Sequence, residues 1–368
     1  MKNYKQVHNL KEPVVLMDSN KVQIKMPVVY TPPPLKRWFP VLIPMILVVN
    51  LILFLVTMYV NNCPELSIPP TSCFAPFLGR FSFQPLQQNP LIGPSYYPLI
   101  KMGALHVDKL VHMHQVWRLF TSIWLQRGVM DLLLNMLVLL AIGIPMEKKF
   151  GFVRIGLVYV ISGLGGNLLC VLFLQSIIYV GASGAILGLL GGMLLELLTN
   201  WKVDTHKFVK MVIITVTITI YLVLGTFSYG DNFNHIGGFT SGFLLGFVIL
   251  IRPQYNGLNR AMSNSSPKQE SYQYALRIIS FVLLSVGLVG GLVLFLKGVN
   301  LNDYCSWCHY LTCAPPSCKP GHISCEDDLI GNQLQVTCLN NGRSGIFPLS
   351  NSSPYEQVEE LCFRLCGK

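Results

Sequence analysis

Two short strings in the chain carry side chains that could make and break an acyl bond: Gly181-Ala182-Ser183-Gly184 and His235-Ile236-Gly237-Gly238. A serine hydroxyl is a poor nucleophile until a base takes its proton, and a neutral imidazole does this near pH 7. The pairing casts Ser183 as nucleophile and His235 as general base. Acyl transfer also needs donors for the oxyanion that develops. Ser183 falls in the first turn of a predicted helix, where backbone N–H groups lack intrahelical partners and the helix dipole favours negative charge. Asn135 is a second candidate donor, and Asp131 projects from the same face one turn earlier. For Asn135 the alternative is an interhelical hydrogen bond that only holds helices together; for Asp131 it is a residue close enough to water to stay ionised. Asp231 precedes His235 by a turn at the expected water boundary, so the pattern gives a dyad.

The elements that must position these groups are membrane spans. Of 368 residues, 52% are hydrophobic and only 12% charged, and the mean hydropathy is +0.50, which excludes a soluble domain of this length. With roughly 20 apolar residues per crossing, helices are predicted near Trp38–Val60, Gly128–Pro145, Phe152–Leu174, Val180–Leu198, Phe208–Phe227, Phe233–Ile251 and Leu276–Leu296. An imidazole at bilayer depth is costly unless it serves a site. Gly184, Gly188 and Gly192 recur every four residues in the fourth span, and Gly238, Gly242 and Gly246 in the sixth. Such small-residue rows let backbones approach closely in lipid. Pairing them would set Ser183 and His235 at similar depth. Each row alone is also what plain helix packing would produce.

Basic residues orient the array, because short loops rich in Lys and Arg stay cytosolic. Lys2, Lys5, Lys11, Lys21, Lys25, Lys36 and Arg37 lie in the head; Lys148, Lys149, Arg154, Lys202, Lys207, Lys210, Arg252, Arg260, Lys268 and Arg277 lie in alternate connections. The head is therefore expected in the cytosol and the tail in the lumen or outside. The net charge of +10 is explained by this excess facing anionic lipid, without nucleic acid. On this map the oxidising side holds Cys63, Cys73, Cys305, Cys308, Cys313, Cys318, Cys325, Cys338, Cys362 and Cys366, which reads as disulfides rather than zinc, in unknown connectivity. Cys170 is left over and reads as packing. Asn351-Ser352-Ser353 would be open to glycosylation and Asn264-Ser265-Ser266 silent. The expected divisions are a basic head 1–37, a core 38–252 including a Pro-rich loop 61–127, a linker 253–275, a seventh helix 276–297 and a Cys-rich tail 298–368. Within the loop, Leu110–Trp124 is expected to lie at the membrane interface.

From Val116 to about Arg252 these residues resemble the rhomboid family of intramembrane serine proteases. The likeness rests on Trp117-Arg118, Asn135, Gly143, Glu147, Gly151, the Gly-x-Ser-Gly of Gly181–Gly184, and His235-x-Gly-Gly with its ladder through Gly238 and Gly242. The first span, the seventh helix and Asp303-Tyr304-Cys305-Ser306-Trp307-Cys308-His309 look most like plant rhomboid-like proteins of the secretory pathway. The resemblance implies an all-α polytopic membrane protein with a six-helix core and a seventh helix, Ser183 as nucleophile, His235 as base, no metal and no cofactor. It further implies, in a Golgi or plasma membrane, cleavage of single-pass membrane proteins near the lumenal face, where the substrate helix unwinds. Two positions depart from the family. Asp131 stands where a histidine is usual, and Asn234 where alanine precedes the catalytic histidine. The alternative class is therefore a catalytically impaired relative that binds and routes membrane clients. A transporter ranks last, because the polar residues gather near one face rather than at the midplane. Oligomeric state is not legible.

Overall fold

The computed structural model describes residues 15–18, 21–24, 38–66, 73–86, 89–111, 113–174, 178–201, 204, 206–227, 231–251, 271–305, 308–311, 325–330, 333–338, 343–348, 358, 361–362 and 364–366. Among the described residues the seven long helices are α1 (Leu42–Asn61), α2 (Val129–Phe150), α3 (Phe152–Phe173), α4 (Ala182–Thr199), α5 (Lys207–Phe227), α6 (Asp231–Ile249) and α7 (Ser271–Leu296). All but α6 are long and apolar enough to cross a membrane. The first turns of α6 carry Asp231, Asn232, Asn234 and His235, and protein shields most of them: Asn232, Asn234 and His235 are all buried. The chain is thus a mostly helical, multi-pass membrane protein. The run of α2 continues past its predicted end at Pro145. A π-turn at Leu139–Gly143 resets the helical register, and Pro145 then falls in the first turn of Ile144–Phe150, where its missing N–H costs nothing.

Packing of α4 on α6 follows from the two glycine rows. A Cβ on Gly238 would lie 2.1 Å from the Gly184 carbonyl oxygen, and one on Gly242 would lie 2.1 Å from that of Gly188. Gly246 comes nearest Leu195 and Gly192. Any side chain at these contacts would push the backbones apart. α3 reaches the other side of α6 in the same way, since a Cβ on Gly237 would meet the Gly165 carbonyl oxygen at 2.8 Å. α3, α4 and α6 therefore form the centre of the bundle.

Elsewhere helices are held by a few polar groups. The Glu147 carboxylate, wholly buried, accepts the backbone N–H of Val41 and Leu42 on Oε1 at 2.8 and 2.7 Å and that of Ile43 on Oε2 at 2.9 Å. Val41 has no side-chain cap to offer, so an acid about a hundred residues later satisfies the orphan donors of α1. The Trp38 N–H donates to the Lys148 carbonyl at 2.9 Å beside it. Lys149 pairs with Glu196, joining the ends of α2 and α4.

Residues 1–36 form a separate unit, in which β1 (Val15–Asp18) and β2 (Lys21–Ile24) pair as an antiparallel hairpin. The tail adds structure that composition did not announce: β3 (Cys325–Ile330), β4 (Gln333–Cys338) and β5 (Ser344–Pro348) make an antiparallel sheet in the order β3-β4-β5. Cys325–Cys362 and Cys338–Cys366 staple the last residues onto it over Leu334, Val336 and Leu361. Cys63–Cys73 closes the first loop and Cys305–Cys308 the start of the tail. The sulfurs of Cys325, Cys362 and Cys366 cluster because two bridges lie side by side. Cys170 is buried in α3 and belongs to none of these bridges. Cys313, Cys318, the sites at Asn264 and Asn351, and most of the linker lie outside the described residues.

Candidate active site

The nucleophile candidate sits where a loop is forced into a helix. Tyr179 pairs with Leu105 in a two-bond antiparallel bridge, its carbonyl accepting at 2.7 Å and its N–H donating at 2.9 Å. Two residues later the Gly181 N–H donates to the Ser122 carbonyl at 3.0 Å. α4 begins at the next residue, and no side chain caps its first turn. The Ala182, Ser183 and Gly184 N–H groups therefore keep the polarity that favours an anion.

Trp117 and Arg118 build the loop that holds this entry. The buried Arg118 guanidinium donates from Nη1 to the carbonyls of Ile100 and Ala104 at 2.7 and 2.8 Å and from Nε to Gln115 Oε1 at 2.7 Å. The half-exposed Trp117 ring lies 4.8 Å from the guanidinium carbon. Asn167 on α3 donates to Ser122 Oγ at 2.9 Å and to the Leu119 carbonyl at 2.7 Å. The segment expected at the interface is thus docked on α3 as two short turns, Arg118–Thr121 and Ser122–Trp124.

Ser183 and His235, both 2% exposed, line one cavity of about 60 Å³ together with Asp131, Arg127, Tyr221 and Met130. Asp131 and Ser183 come from the first turns of α2 and α4, and His235 from the second turn of α6, so three helices contribute near their N-terminal ends. Ser183 Oγ lies 3.3 Å from the Tyr179 hydroxyl. Neither imidazole nitrogen of His235 has a hydrogen-bond partner among the described residues. Asp131 pairs with Arg127 at 3.5 Å.

Asn135 belongs to the same network one layer back. Its amide donates to Gln126 Oε1 at 2.7 Å and at 3.4 Å to Asp131 Oδ1, and its Oδ1 accepts the Tyr221 hydroxyl at 2.7 Å. The Asn135 amide, the side-chain donor expected for an oxyanion, is thus already engaged. Tyr221 presents its ring to His235 at 81° with centroids 5.4 Å apart. Asn234 donates to Asn167 Oδ1 at 2.8 Å and is not among the residues lining the cavity, so the amide beside His235 is directed at α3. Gly184, Gly238 and Gly242 bring α4 and α6 together, Gly181 makes the turn before Ser183, and Glu147 caps α1 far from the cavity. Tyr179, Tyr221, Arg127 and Gln126 were invisible in the sequence. Tyr221 is one hydroxyl among those of Thr215, Thr217, Thr219 and Thr226 on the same span, and the others lie in connections where helical spacing says nothing.

A helical, multi-pass membrane protein with a buried serine and a buried imidazole on one small cavity is the class that fold and site define. Residues 113–252 match the family model described as Rhomboid domain. The chain is 52% identical over 343 residues to RHOMBOID-like protein 1 of Arabidopsis thaliana, covering 90% of this chain and 87% of that one. It is 49% identical over 336 residues to RHOMBOID-like protein 4 of the same plant, covering 90% and 84%. The chain belongs to the rhomboid family. A further relative at 39% identity over 298 residues, 77% of this chain and 84% of the other, is Inactive RHOMBOID-like protein 8 of Arabidopsis thaliana. Membership fixes the fold, and turnover depends on the groups in the cavity.

Proposed function

We propose that this chain is a rhomboid-type intramembrane serine endopeptidase acting on single-pass membrane proteins. The observation that carries the proposal is the single small cavity shared by Ser183 and His235. Ser183 Oγ leaves its contact with Tyr179 and attacks a substrate carbonyl as His235 takes its proton. The uncapped N–H groups of the first turn of α4 hold the oxyanion. His235 returns the proton to the leaving amine, giving an acyl-enzyme. Water, with His235 again as base, then releases the acid and frees Ser183. A regular transmembrane helix has its amides engaged, so the substrate must unwind near small residues to enter. The basic connections on one side and the disulfides on the other support a cytosolic head and a lumenal tail, in a Golgi or plasma membrane.

One observation favours a second reading, a catalytically impaired relative that binds and routes membrane clients. Asp131 lines the cavity where the family carries histidine, and an ionised carboxylate repels a forming oxyanion. A serine-reactive fluorophosphonate probe separates the two. The peptidase labels as the parent chain and not as Ser183→Ala, and it releases fragments from tagged single-pass substrates that neither Ser183→Ala nor His235→Ala releases. A parent chain that stays unlabelled and releases nothing supports the second reading.

A further inference from the structure

The imidazole of a general base is ordinarily oriented by a hydrogen bond to its second nitrogen, from a carboxylate or a backbone carbonyl. His235 has no such bond among the described residues. Among the described residues its orientation is set by packing, to which α5 contributes a ring and a gap. Tyr221 sets its ring at 81° to the imidazole with 5.4 Å between centroids. One turn later Gly225 leaves room first for Asn232, whose Oδ1 would stand 2.2 Å from a Cβ there, and then for the His235 ring, whose Cε1 would stand 3.1 Å away. Residues four apart share a helix face, so α5 offers the imidazole one wall and one gap.

The wall is itself fixed. Tyr221 is 2% exposed, and its hydroxyl donates to Asn135 Oδ1 at 2.7 Å. The Asn135 amide is held in turn by Gln126 and Asp131. Only 17% of the α5 span is buried, so few other contacts duplicate this one.

We infer that Tyr221 is the positioning residue for His235: its ring, packed against the imidazole, holds it in the orientation that Ser183 requires, and the hydroxyl bond to Asn135 only steadies that ring. The inference rests on the peptidase proposal for what that orientation achieves, and on packing alone for the orientation itself.

The test uses the full chain in detergent and compares the parent with Tyr221→Phe and Tyr221→Leu. Because a positioned base contributes about a hundredfold or more to rate, Tyr221→Leu should label Ser183 with a fluorophosphonate about thirtyfold more slowly and lose kcat while KM changes less than about twofold. Tyr221→Phe keeps the ring and should stay within about threefold of the parent. Both variants should still reach the parental endpoint of probe bound per chain. Parental rates in Tyr221→Leu would overturn the inference. So would a Tyr221→Phe as slow as Tyr221→Leu, which would assign the effect to the hydroxyl, or a lowered endpoint, which would make Tyr221 merely structural. A second measurement does not need turnover: with isotope-labelled histidine, the His235 signal, assigned by its loss in His235→Ala, should be single and sharp in the parent and Tyr221→Phe and split or broadened in Tyr221→Leu. An unchanged signal would overturn the inference. A parent that never labels would remove the peptidase proposal and leave this signal to decide Tyr221.

Discussion

α4 and α5 both face the cavity, yet 78% of the α4 span is buried and only 17% of the α5 span. α4 is held by what it lacks: Gly184 and Gly188 let the backbone of α6 come within contact. α5 is held by individual groups. Tyr221 reaches Asn135 and His235, Thr226 accepts from Asn232 at 3.0 Å, and Ile214 joins the core, while Val209, Val212 and Val216 point outward. In lipid no hydrophobic effect drives helices together, so a helix joins the bundle either by close backbone approach or by specific polar contacts. The first route gives a rigid mount for the serine. The second concentrates the contacts of α5 with Asn135 and the His235 imidazole in very few atoms.

The largest blow to this contrast comes from Gly242→Leu. Its side chain would enter the α4 backbone, and loss of folded protein is expected, beyond about 4 kcal/mol of destabilisation; a monodisperse variant with parental probe labelling would break the close-approach account. Glu147→Ala should come next, because it strips three N–H groups of their acceptor. About 3 kcal/mol lower stability is expected in denaturant unfolding, and an unchanged midpoint would remove the capping role. Asp131→His sharpens the cavity side. Cleavage of a generic transmembrane substrate should rise by about threefold or more, since an imidazole donor replaces a carboxyl group, and an equal or lower rate would show that Asp131 is tolerated. Val216→Ala, on the outward face of α5, should change stability by less than about 0.5 kcal/mol and leave labelling untouched. A large effect there would mean that α5 is held by more than its inward groups.

Much of the bundle was legible because its code is periodic. Glycines four apart mark one helix face, and this is enough to place α4 on α6 and to bring Ser183 and His235 to one level. Other features lack a period. The Glu147 carboxylate meets α1 across more than a hundred residues, and no local pattern announces that pairing. Tyr221 is one of several hydroxyls along its span, with Thr215, Thr217 and Thr219 before it and Thr226 after it, so no pattern singled it out and the network from Asp131 through Asn135 to His235 could not be traced. Asn135 was seen as a donor, whereas which way its amide points depends on Gln126 and Tyr221. In the tail the alternation of Leu334, Val336 and Cys338 with exposed or half-exposed residues along β4 has the period of a half-buried strand, and that strand lies within the same run of residues as the cysteines that staple it.

The cap on α1 also bears on how the chain is made. Chains are synthesised from the N-terminus, so α1 leaves the ribosome and can enter the bilayer long before Glu147 exists. Until α2 has been threaded through to its end, the first amides of α1 must lean on water or lipid headgroups. The arrival of that one acid then locks the earliest helix to the latest part of α2. A stalled or truncated chain ending before Glu147 would carry an α1 still open at its start.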